Sequence, residues 1–504
     1  MIPGPILGPI PAADDAAIGR LRDALARADY SAAAVSGLLG LRELPAGRPL
    51  FDSLLPHLWR TRDASPLATL VRLFLLGQVV PASDVRAALQ PLSVDDAVQS
   101  GLLSAVAADF RAALQIVPFQ NLWIAADWPG ELPDRARASV EPVMGLAAST
   151  QALAQMMISR SGGRALDLGT GSGVLALLAA RHADRVWAVD LNPRAADITK
   201  LNALLNGVTN LDARTGDLFE PVSEQTFDLM VCNPPFVIGP TIGRLHSQTG
   251  RPADDFCRSL VRTAPRYLRP GGFCQLVANW VHPAGGDWRE RMAGWFAGLD
   301  CDAWVLQSHA DDAATYARNR VDEMSGGASP SRLFDEWMAY YDRAGIAAVG
   351  FGVITLRRTP QPRGQENWFR CDPLPGISGP CGPSIEAWFA RQDFLAAHRD
   401  DGVLLAARVR RADGMIFEQR DTMTAAGWAA GPAKLRLTTG LQFSGGAEAG
   451  AADFVARCTG AAPLSAELDR LAADLGRDPR EIAPAFLTVV RRLIELGILA
   501  NVAP

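Results

Sequence analysis

The stretch VCNPPFVIGP, residues 231–240, places an asparagine, two prolines and an aromatic ring directly after an apolar run. Consecutive prolines supply no backbone N–H and hold their own φ at about −65°, so the segment cannot continue as a helix or as a central strand. It leaves the Asn233 side-chain oxygen and the Pro234 carbonyl as acceptors, and the Phe236 ring as a flat surface. This combination predicts a site for a planar group that carries N–H donors, such as an amide or the amino group of a base.

A second cluster of small residues lies upstream, in RALDLGTGSGVLALLAARHA, residues 164–183. Gly169, Gly171 and Gly173 stand between a predicted buried strand and a predicted helix. Glycine there lets the backbone pass close to a ligand, and the start of the helix offers free N–H groups. A dinucleotide-binding loop would have its third glycine three residues after the second, and that position is Val174. Because Val174 replaces the third glycine of that fingerprint, the sequence argues against an NAD site.

Acidic residues accompany this loop. Asp167 lies inside the strand before the glycines, and Asp190 ends the next predicted strand, RVWAVD. An acid at the end of that strand is placed to accept hydrogen bonds from both ribose hydroxyls of a nucleoside lying across the carboxyl edge of the sheet. The pattern therefore predicts a nucleoside site that lacks the dinucleotide fingerprint.

An acid followed by G-x-G-x-G resembles motif I of the class I S-adenosylmethionine (SAM) methyltransferases. The resemblance implies SAM as the cofactor and places Asp217, in GDLF, at the adenine amino group. It also implies cofactor contacts from the other residues of these loops: Asp167, Gly169, Thr170, Gly171, Gly173, Asp190, Leu191, Leu218 and Asn233.

Together with this loop, NPPF resembles the (N/D)PP(Y/F) motif of N-methyltransferases. These include release-factor glutamine methyltransferases, small-domain ribosomal RNA guanine methyltransferases and adenine methyltransferases. Asn233 and Pro234 can accept the two hydrogens of the target nitrogen while Phe236 stacks on its plane, so these three residues are predicted to be catalytic. Phe instead of Tyr at position 236 departs from the glutamine enzymes, as does the lack of an arginine-proline run in EPVMGLAAST.

Three regions follow from the patterns around these motifs. Residues 1–132 are predicted to form a helical, winged-helix-like domain with one pair of strands. Residues 133–362 alternate strand and helix, which predicts an α/β fold; by resemblance it is a Rossmann-like, seven-stranded class I methyltransferase domain. Residues 363–504 are predicted to form an α+β domain, with a winged-helix-like arrangement as one option. In this order of regions the chain resembles a group of actinobacterial methyltransferases of uncertain substrate.

Composition narrows the class of protein. The 504 residues are 48% hydrophobic and 20% charged, with a net charge of −5. No apolar run reaches the roughly 18 residues of a membrane span, and the N-terminus has no basic segment typical of a signal peptide, so a cytoplasmic protein without a membrane partner is expected. No region is strongly basic, which disfavours a nucleic-acid substrate without excluding it. Seven scattered cysteines predict neither a disulfide framework nor a metal site.

The leading hypothesis is an enzyme that methylates an amide or amine nitrogen of a protein or peptide, with the flanking domains recognising the rest of the substrate. The alternatives are an N-methyltransferase for an rRNA or tRNA base and a non-catalytic module that keeps the fold. A protonated amine would need a general base, for which His246, His282 and His309 are candidates. The aromatic residues between Trp280 and Tyr341 are interpreted mainly as core. The oligomeric state stays open.

Overall fold

A computed structural model of the chain describes residues 15–45, 54–128, 142–240, 253–324, 330–359, 367–447 and 449–502. The chain divides into two compact units. The first unit comprises residues 1–154 and 160–372, and the second comprises residues 155–159 and 373–504. Both predicted domain boundaries, after residues 132 and 362, lie outside the described residues and stay predictions.

The N-terminal region of the first unit begins as helices, as predicted. Ser31, Ser65 and Ser93 each cap a helix by accepting a hydrogen bond from the backbone N–H three residues on. Two antiparallel hairpins follow, where a single strand pair was predicted. The elements are α1 (Asp15–Arg27), α2 (Ala32–Leu39), α3 (Leu54–Arg60), α4 (Pro66–Leu70), a π-helical turn (Val71–Leu75), α5 (Ala82–Ala88), α6 (Val94–Gln99), β1 (Leu103–Val106), β2 (Asp109–Ala112), β3 (Gln115–Phe119) and β4 (Leu122–Ala126). The winged-helix-like arrangement stays a prediction.

The central part of the first unit alternates strands and helices, which confirms the predicted α/β fold. Its strands are β5 (Arg164–Leu168), β6 (Arg185–Asp190), β7 (Leu211–Thr215), β8 (Phe227–Cys232), β9 (Leu268–Pro283), β10 (Cys301–Asp312), β11 (Ile346–Arg358) and β12 (Phe369–Pro373). Its helices are α7 (Ala148–Met156), α8 (Val174–Ala179), α9 (Pro193–Leu205), α10 (Asp255–Thr263), α11 (Trp288–Phe296), α12 (Ala313–Met324) and α13 (Pro330–Ala344), with 3-10 turns at Glu220–Val222 and Ala264–Tyr267.

All eight strands form one sheet in the order β12-β10-β11-β9-β8-β5-β6-β7. The pairs from β9 through β8, β5 and β6 to β7 are parallel, whereas β11 runs antiparallel to both β9 and β10. Seven of these strands, β5 to β11, lie within the predicted domain of residues 133–362, as predicted, and β12 adds an eighth at the edge beside β10. That strand lies beyond residue 362, outside the predicted bounds of the domain.

Helix α9 joins the N-terminal region to the sheet domain. Its Ile198 and Leu201 belong to the same hydrophobic core as the N-terminal helices. On another face, Asn202 accepts from the Ala125 N–H at 2.7 Å and donates to the Ala125 carbonyl at 2.8 Å. Asn206, one turn later, forms the same pair of bonds with Trp123, at 2.9 and 2.7 Å. Two amide side chains thus act as a strand partner for β4 and cover its edge.

The aromatic residues expected in the core are there. Tyr316 on α12 and Trp337 and Tyr341 on α13 are at most 5% exposed. They pack with Ile238, just after NPPF, in one hydrophobic cluster. The Tyr341 hydroxyl donates to the Ile238 carbonyl at 2.8 Å. The helical hairpin α12–α13 therefore supports the segment that leaves β8, and these aromatic side chains are core rather than pocket wall.

The second unit mixes small sheets with helices, which confirms the predicted α+β class. Its core is its own and includes Leu404, Phe454, Phe486 and Val490. The helices are α14 (Gly382–Ala397), α15 (Asp401–Ala406), α16 (Ala449–Arg457), α17 (Leu464–Leu475) and α18 (Pro479–Glu495). The strands are β13 (Gly376–Ser378), β14 (Arg408–Arg411), β15 (Met415–Gln419), β16 (Thr422–Thr424), β17 (Gly427–Ala429), β18 (Ala433–Leu437), β19 (Gly440–Gln442), β20 (Ser444–Gly446), β21 (Thr459–Pro463) and β22 (Leu499–Asn501).

Candidate active site

Loops that leave the parallel strands meet at one edge of the sheet. In the parallel register, Leu168 of β5 lies between Val189 of β6 and Cys232 of β8. Three predicted site residues therefore leave neighbouring strands at the same edge: Gly169, Asp190 and Asn233. The carboxyl edge of parallel strands is where ligands bind in open α/β sheets.

The glycine turn has the conformation that its sequence demands. Gly169, Gly171 and Gly173 have φ of +72°, +55° and +82°, in the left-handed region that favours glycine. A Cβ at Gly173 would lie 2.8 Å from a side-chain carbon of Thr199, so helix α9 packs against this glycine. Within the described residues, no heavy atom lies within 4 Å of the position that a Cβ would take at Gly169 or Gly171. The backbone there faces open space, as a ligand-binding loop requires.

Asp167 is buried beneath this turn, with 1% of its surface exposed. Its Oδ2 accepts from the Thr170 hydroxyl at 2.7 Å and from the Ala176 N–H at 3.0 Å. Its Oδ1 is also buried but has no hydrogen-bond partner among the described residues. Burial raises the pKa of Asp167 to about 7, with the two hydrogen bonds opposing the shift and the charge of Asp190 adding to it. A buried carboxyl oxygen of this kind can receive a cation or a donor.

The Asp190 carboxylate connects two loops by hydrogen bonds. Its Oδ2 accepts from the Gly171 N–H at 2.8 Å, and its Oδ1 accepts from the Asn192 N–H at 2.9 Å. The next side chain, Leu191, is 60% exposed. The carboxylate is therefore fixed at the end of β6, beside the glycine turn.

The GDLF loop follows β7 and joins the same edge. The Gly216 N–H donates to the Asp190 carbonyl at 2.9 Å, which brings this loop against the end of β6. Asp217 is exposed, and Leu218 is half-buried with φ of +49°. Both predicted residues thus lie in a loop next to the fixed carboxylate.

The NPPF segment presents one amide to this edge. The Asn233 Nδ2 donates to the Thr150 hydroxyl at 2.9 Å and to the Ser149 hydroxyl at 3.2 Å. Its Oδ1 is buried and has no hydrogen-bond partner within the described ranges. Pro234 is buried, and the half-buried Phe236 ring lies 5.7 Å from the Phe351 ring, centroid to centroid.

The histidine candidates are not gathered at the amide. His246 lies outside the described residues. His282 contacts Gln307 at 3.0 Å and stacks on Trp288, and burial is the main cause that lowers its pKa. His309 is exposed, with its ring 5.3 Å from that of Phe351. Of the two described histidine candidates, His309 is the one that shares a neighbour, Phe351, with Phe236.

Sequence reasoning missed the partners of Asn233. Ser149 and Thr150 lie inside α7 and contact the asparagine across 84 and 83 positions of sequence. It also missed a buried ion pair between Asp127 and Arg194, at 2.6 Å. The only local signal was the small polar run AAST, which is equally typical of a helix start.

Other kinds of site find no support among the described residues. No three His, Cys, Asp or Glu side chains there are grouped so that they could hold a metal ion. All seven cysteines are free, and six of them are buried. None of the described helices combines the length and apolar character that a membrane crossing requires.

The central region of the chain is similar to a known protein family. Residues 143–285 match the family described as "Methyltransferase small domain". Residues 27–113 and 386–501 match two other families, each described as a domain of unknown function. The matched regions follow the order of the three predicted regions.

Two curated relatives align with the central region. "Release factor glutamine methyltransferase" of Xylella fastidiosa (strain 9a5c) is 35% identical over 187 residues, which cover 34% of this chain and 66% of that protein. "Ribosomal RNA small subunit methyltransferase C" of Alcanivorax borkumensis is 36% identical over 117 residues, 23% of this chain and 32% of that protein. The chain thus spans just under two thirds of the first relative and about a third of the second.

A solved methyltransferase from Pyrococcus furiosus covers 40% of this chain and 77% of its own at 17% identity, with a TM-score of 0.25, too low to support an argument. In the present chain, the strand order of the sheet and the loops at the carboxyl edge of that sheet define a class I methyltransferase domain. The central region of this chain is therefore similar to the methyltransferase small domain family and to methyltransferases named for a release factor and for ribosomal RNA.

Proposed function

We propose that this protein is a SAM-dependent methyltransferase that methylates an amide or amine nitrogen of a protein or peptide. The observation that carries the proposal is the Asn233 amide. Two hydroxyls hold its nitrogen, while its oxygen is buried without a partner among the described residues. Leaving a buried acceptor unpaired costs about 1 to 3 kcal/mol, so this oxygen is suited to receive an N–H donor from a target.

The residues at the sheet edge fit SAM. The unpartnered Asp167 oxygen suits the ammonium of the methionine moiety, and Asp190 suits the ribose hydroxyls. Asp217 is assigned to the adenine amino group, and open space at Gly169 and Gly171 leaves room for the cofactor. Further contacts are assigned to the neighbouring residues Thr170, Gly173, Leu191, Leu218 and Asn233. When bound, SAM supplies a methyl group on an electrophilic sulfonium.

The protein's contribution is to orient the target nitrogen. An amide or base nitrogen is weakly nucleophilic because its lone pair is delocalised. In the proposed arrangement the Asn233 oxygen and the Pro234 carbonyl accept its two hydrogens, and the Phe236 ring stacks on its plane. Orientation of two reactants can lower a barrier by about 7 to 11 kcal/mol, of which these contacts would supply part. For an amide or base nitrogen a general base contributes little, because such a nitrogen loses its proton readily once it has received the methyl.

A protein substrate is favoured by charge and by relationship. The net charge is −5, and the release factor methyltransferase of Xylella fastidiosa is named for a protein substrate. An RNA base is the second candidate. It is favoured by the ribosomal RNA methyltransferase relative and by hairpin β16–β17 in the second unit, where Trp428 is 70% exposed and suited to stack on a base.

Tritiated-methyl transfer tests the proposal. SAM labelled in the methyl group is incubated with the protein and a size-fractionated cell lysate, and each labelled fraction is then treated with protease or RNase. We expect label that protease releases and a methyl group bound to nitrogen after hydrolysis. Label released by RNase supports the second candidate. No label, or a methyl group on oxygen or carbon, contradicts the proposed function.

Asn233→Ala is the decisive variant. It removes one of the two acceptors that orient the target and leaves the glycine turn and Asp190 unchanged. We expect kcat to fall at least about a hundredfold, the scale of losing one placed hydrogen-bonding group in an active site, with little change in SAM affinity by calorimetry. Asn319→Ala is the matched control, because this asparagine on α12 bonds to Asp311. Near-normal methylation by Asn233→Ala would contradict the assigned role.

A further inference from the structure

The orientation of the Asn233 amide is set by two hydroxyl groups. An amide nitrogen has two N–H donors, and here one partner lies at 2.9 Å (Thr150) and the other at 3.2 Å (Ser149). Thr150 is 9% exposed, so water competes little for its hydroxyl. With both donors used in this direction, the amide oxygen must point the opposite way, where it has no partner among the described residues.

We propose that Thr150, together with Ser149, is a positioning residue that keeps the Asn233 oxygen directed at the target nitrogen. The inference rests on the proposed function and adds to it the residues that make the asparagine competent. Without the hydroxyls, the amide can rotate by half a turn and present its NH₂ group to the target. Two donors would then face each other, and the target nitrogen would lose its acceptor.

The N-terminal region holds these hydroxyls in place. Strand β4 ends at Ala126, and the next residue, Asp127, is 4% exposed. The Asp127 N–H donates to the Val143 carbonyl at 3.1 Å, and the Val143 N–H donates to the Asp127 Oδ2 at 2.8 Å. Arg194 on α9 donates two hydrogen bonds to the same carboxylate, at 2.6 and 2.8 Å, and so holds it in place. The chain that runs from Val143 to Thr150 is therefore anchored to β4 at its start.

A close backbone approach reinforces this anchor. A Cβ at Gly145 would lie 3.2 Å from the Cβ of Ala126, so only a residue without a side chain fits there easily. The path of the segment from β4 to α7 is thus fixed by one backbone–backbone bond, one backbone–carboxylate bond, an ion pair and a glycine contact. The N-terminal region consequently helps to position the Asn233 amide through Ser149 and Thr150. It can do so without contacting the target itself.

The test measures methyl transfer by Thr150→Val, which keeps the shape and removes the hydroxyl. The probe is methyl-tritiated SAM with the lysate fraction that the wild-type chain labels. We expect kcat to fall about tenfold to a hundredfold, the scale of losing an outer group that orients an active ligand. KM for that fraction and the Kd for SAM should stay within about twofold, since neither contact involves the cofactor loop.

Three further variants separate positioning from a structural role. Thr150→Ser keeps a hydroxyl and should restore most of the activity, whereas a packing role would impair this variant, which lacks the methyl group, more than the valine variant. Ser149→Ala, at a half-buried position, should cause a smaller loss in a folded protein. In the Asn233→Ala background, Thr150→Val should cause no additional loss, because the amide through which it acts is gone.

The outcomes distinguish this inference from the proposed function. A wild-type chain that binds SAM but labels nothing overturns both. An active wild type whose Thr150→Val and Ser149→Ala variants keep their kcat overturns the positioning role alone. A variant that loses SAM affinity in proportion to its activity also overturns it, since the hydroxyls would then serve the cofactor site.

Discussion

The two regions that flank the sheet domain are built in opposite ways. The N-terminal region shares one hydrophobic core with helix α9 and gives the edge of β4 to two asparagines on that helix. The C-terminal unit has a separate core made of its own helices and strands. Both regions match families described as domains of unknown function. The N-terminal region thus shares its core with the sheet domain, whereas the C-terminal unit has a core of its own.

This difference changes the role expected of each flank. The sequence interpretation gave both flanks the task of recognising substrate. The contacts from Asp127 to Val143 and from Thr150 to Asn233 instead make the N-terminal region necessary for the geometry of the target site. The C-terminal unit stays the candidate for substrate recognition, since among the described residues its core is separate from that of the central strands.

Deletion of each flank is the strongest test of the contrast. A chain that begins at residue 129 exposes Ile198, Leu201 and the other α9 residues of the shared core. We expect it to lose cooperative unfolding and SAM binding altogether. A chain that ends at residue 373 keeps all eight strands of the sheet and should bind SAM within a few-fold of the full-length protein, while losing transfer to the macromolecular substrate.

Calorimetry with SAM and circular dichroism during urea unfolding measure both deletions. If the chain that begins at residue 129 folds and binds SAM normally, the N-terminal region is a separate domain and the contrast fails. If the chain that ends at residue 373 methylates the macromolecular substrate at the full rate, the C-terminal unit has no role in recognition.

Two buried carboxylates that pair with arginine give a matched comparison of lesser effect. Asp127→Ala leaves Arg194, whose side chain is 10% exposed, without its carboxylate. Glu467→Ala does the same to Arg457 and Arg470 in the second unit. Removing one partner of a buried pair typically costs about 3 to 5 kcal/mol of stability, and less where the partners are partly exposed, as Arg457 and Arg470 are. We expect the loss in the unit that carries the change, but a loss of kcat only for Asp127→Ala.

Hydrogen exchange followed by mass spectrometry resolves the two units in one experiment. Asp127→Ala should speed exchange in β4 and α9, and Glu467→Ala should speed it in α17 and α18. Equal loss of kcat in both variants, at temperatures where both are folded, would mean that the second unit also shapes the catalytic geometry.

The parts of this architecture that sequence predicts are local. RVWAVD and FDLMVC are apolar runs bounded by polar or turn residues, and they are the observed strands β6 and β8. The glycine turn follows from residue type alone, because positive φ at three alternate positions favours glycine. The loops that carry the candidate site could also be placed at one edge of the sheet, because each follows the carboxyl end of a predicted parallel strand.

The rest depends on contacts between distant parts of the chain. The amides of Asn202 and Asn206 pair with backbone groups 77 and 83 positions away, and Arg194 pairs with an acid 67 positions away. An asparagine on a helix carries no sign that it will cover a strand edge. Strand β12 also escaped prediction, since it is only five residues long and follows a polar, proline-containing stretch. The partners of Asn233 were missed for this reason too.

The smallest expected effect concerns Asp167, and it tests whether cofactor binding belongs to the first unit alone. Burial raises the pKa of this carboxyl from 3.8 to about 7, so the folded protein holds its proton where the unfolded chain has lost it. Stability without cofactor should therefore fall as pH rises from about 4 to about 7.

A bound ammonium favours the carboxylate form of Asp167, so SAM affinity should rise between pH 5.5 and 7, by up to about tenfold per pH unit. This range lies below the pH at which an α-amino group begins to lose its own proton. Calorimetry measures the slope; Asp167→Asn should abolish it, and the chain that ends at residue 373 should show the same slope as the full-length protein. A flat affinity profile for the wild type would remove Asp167 from the cofactor site, and a slope that disappears with the C-terminal unit would end the division of roles between the two flanks.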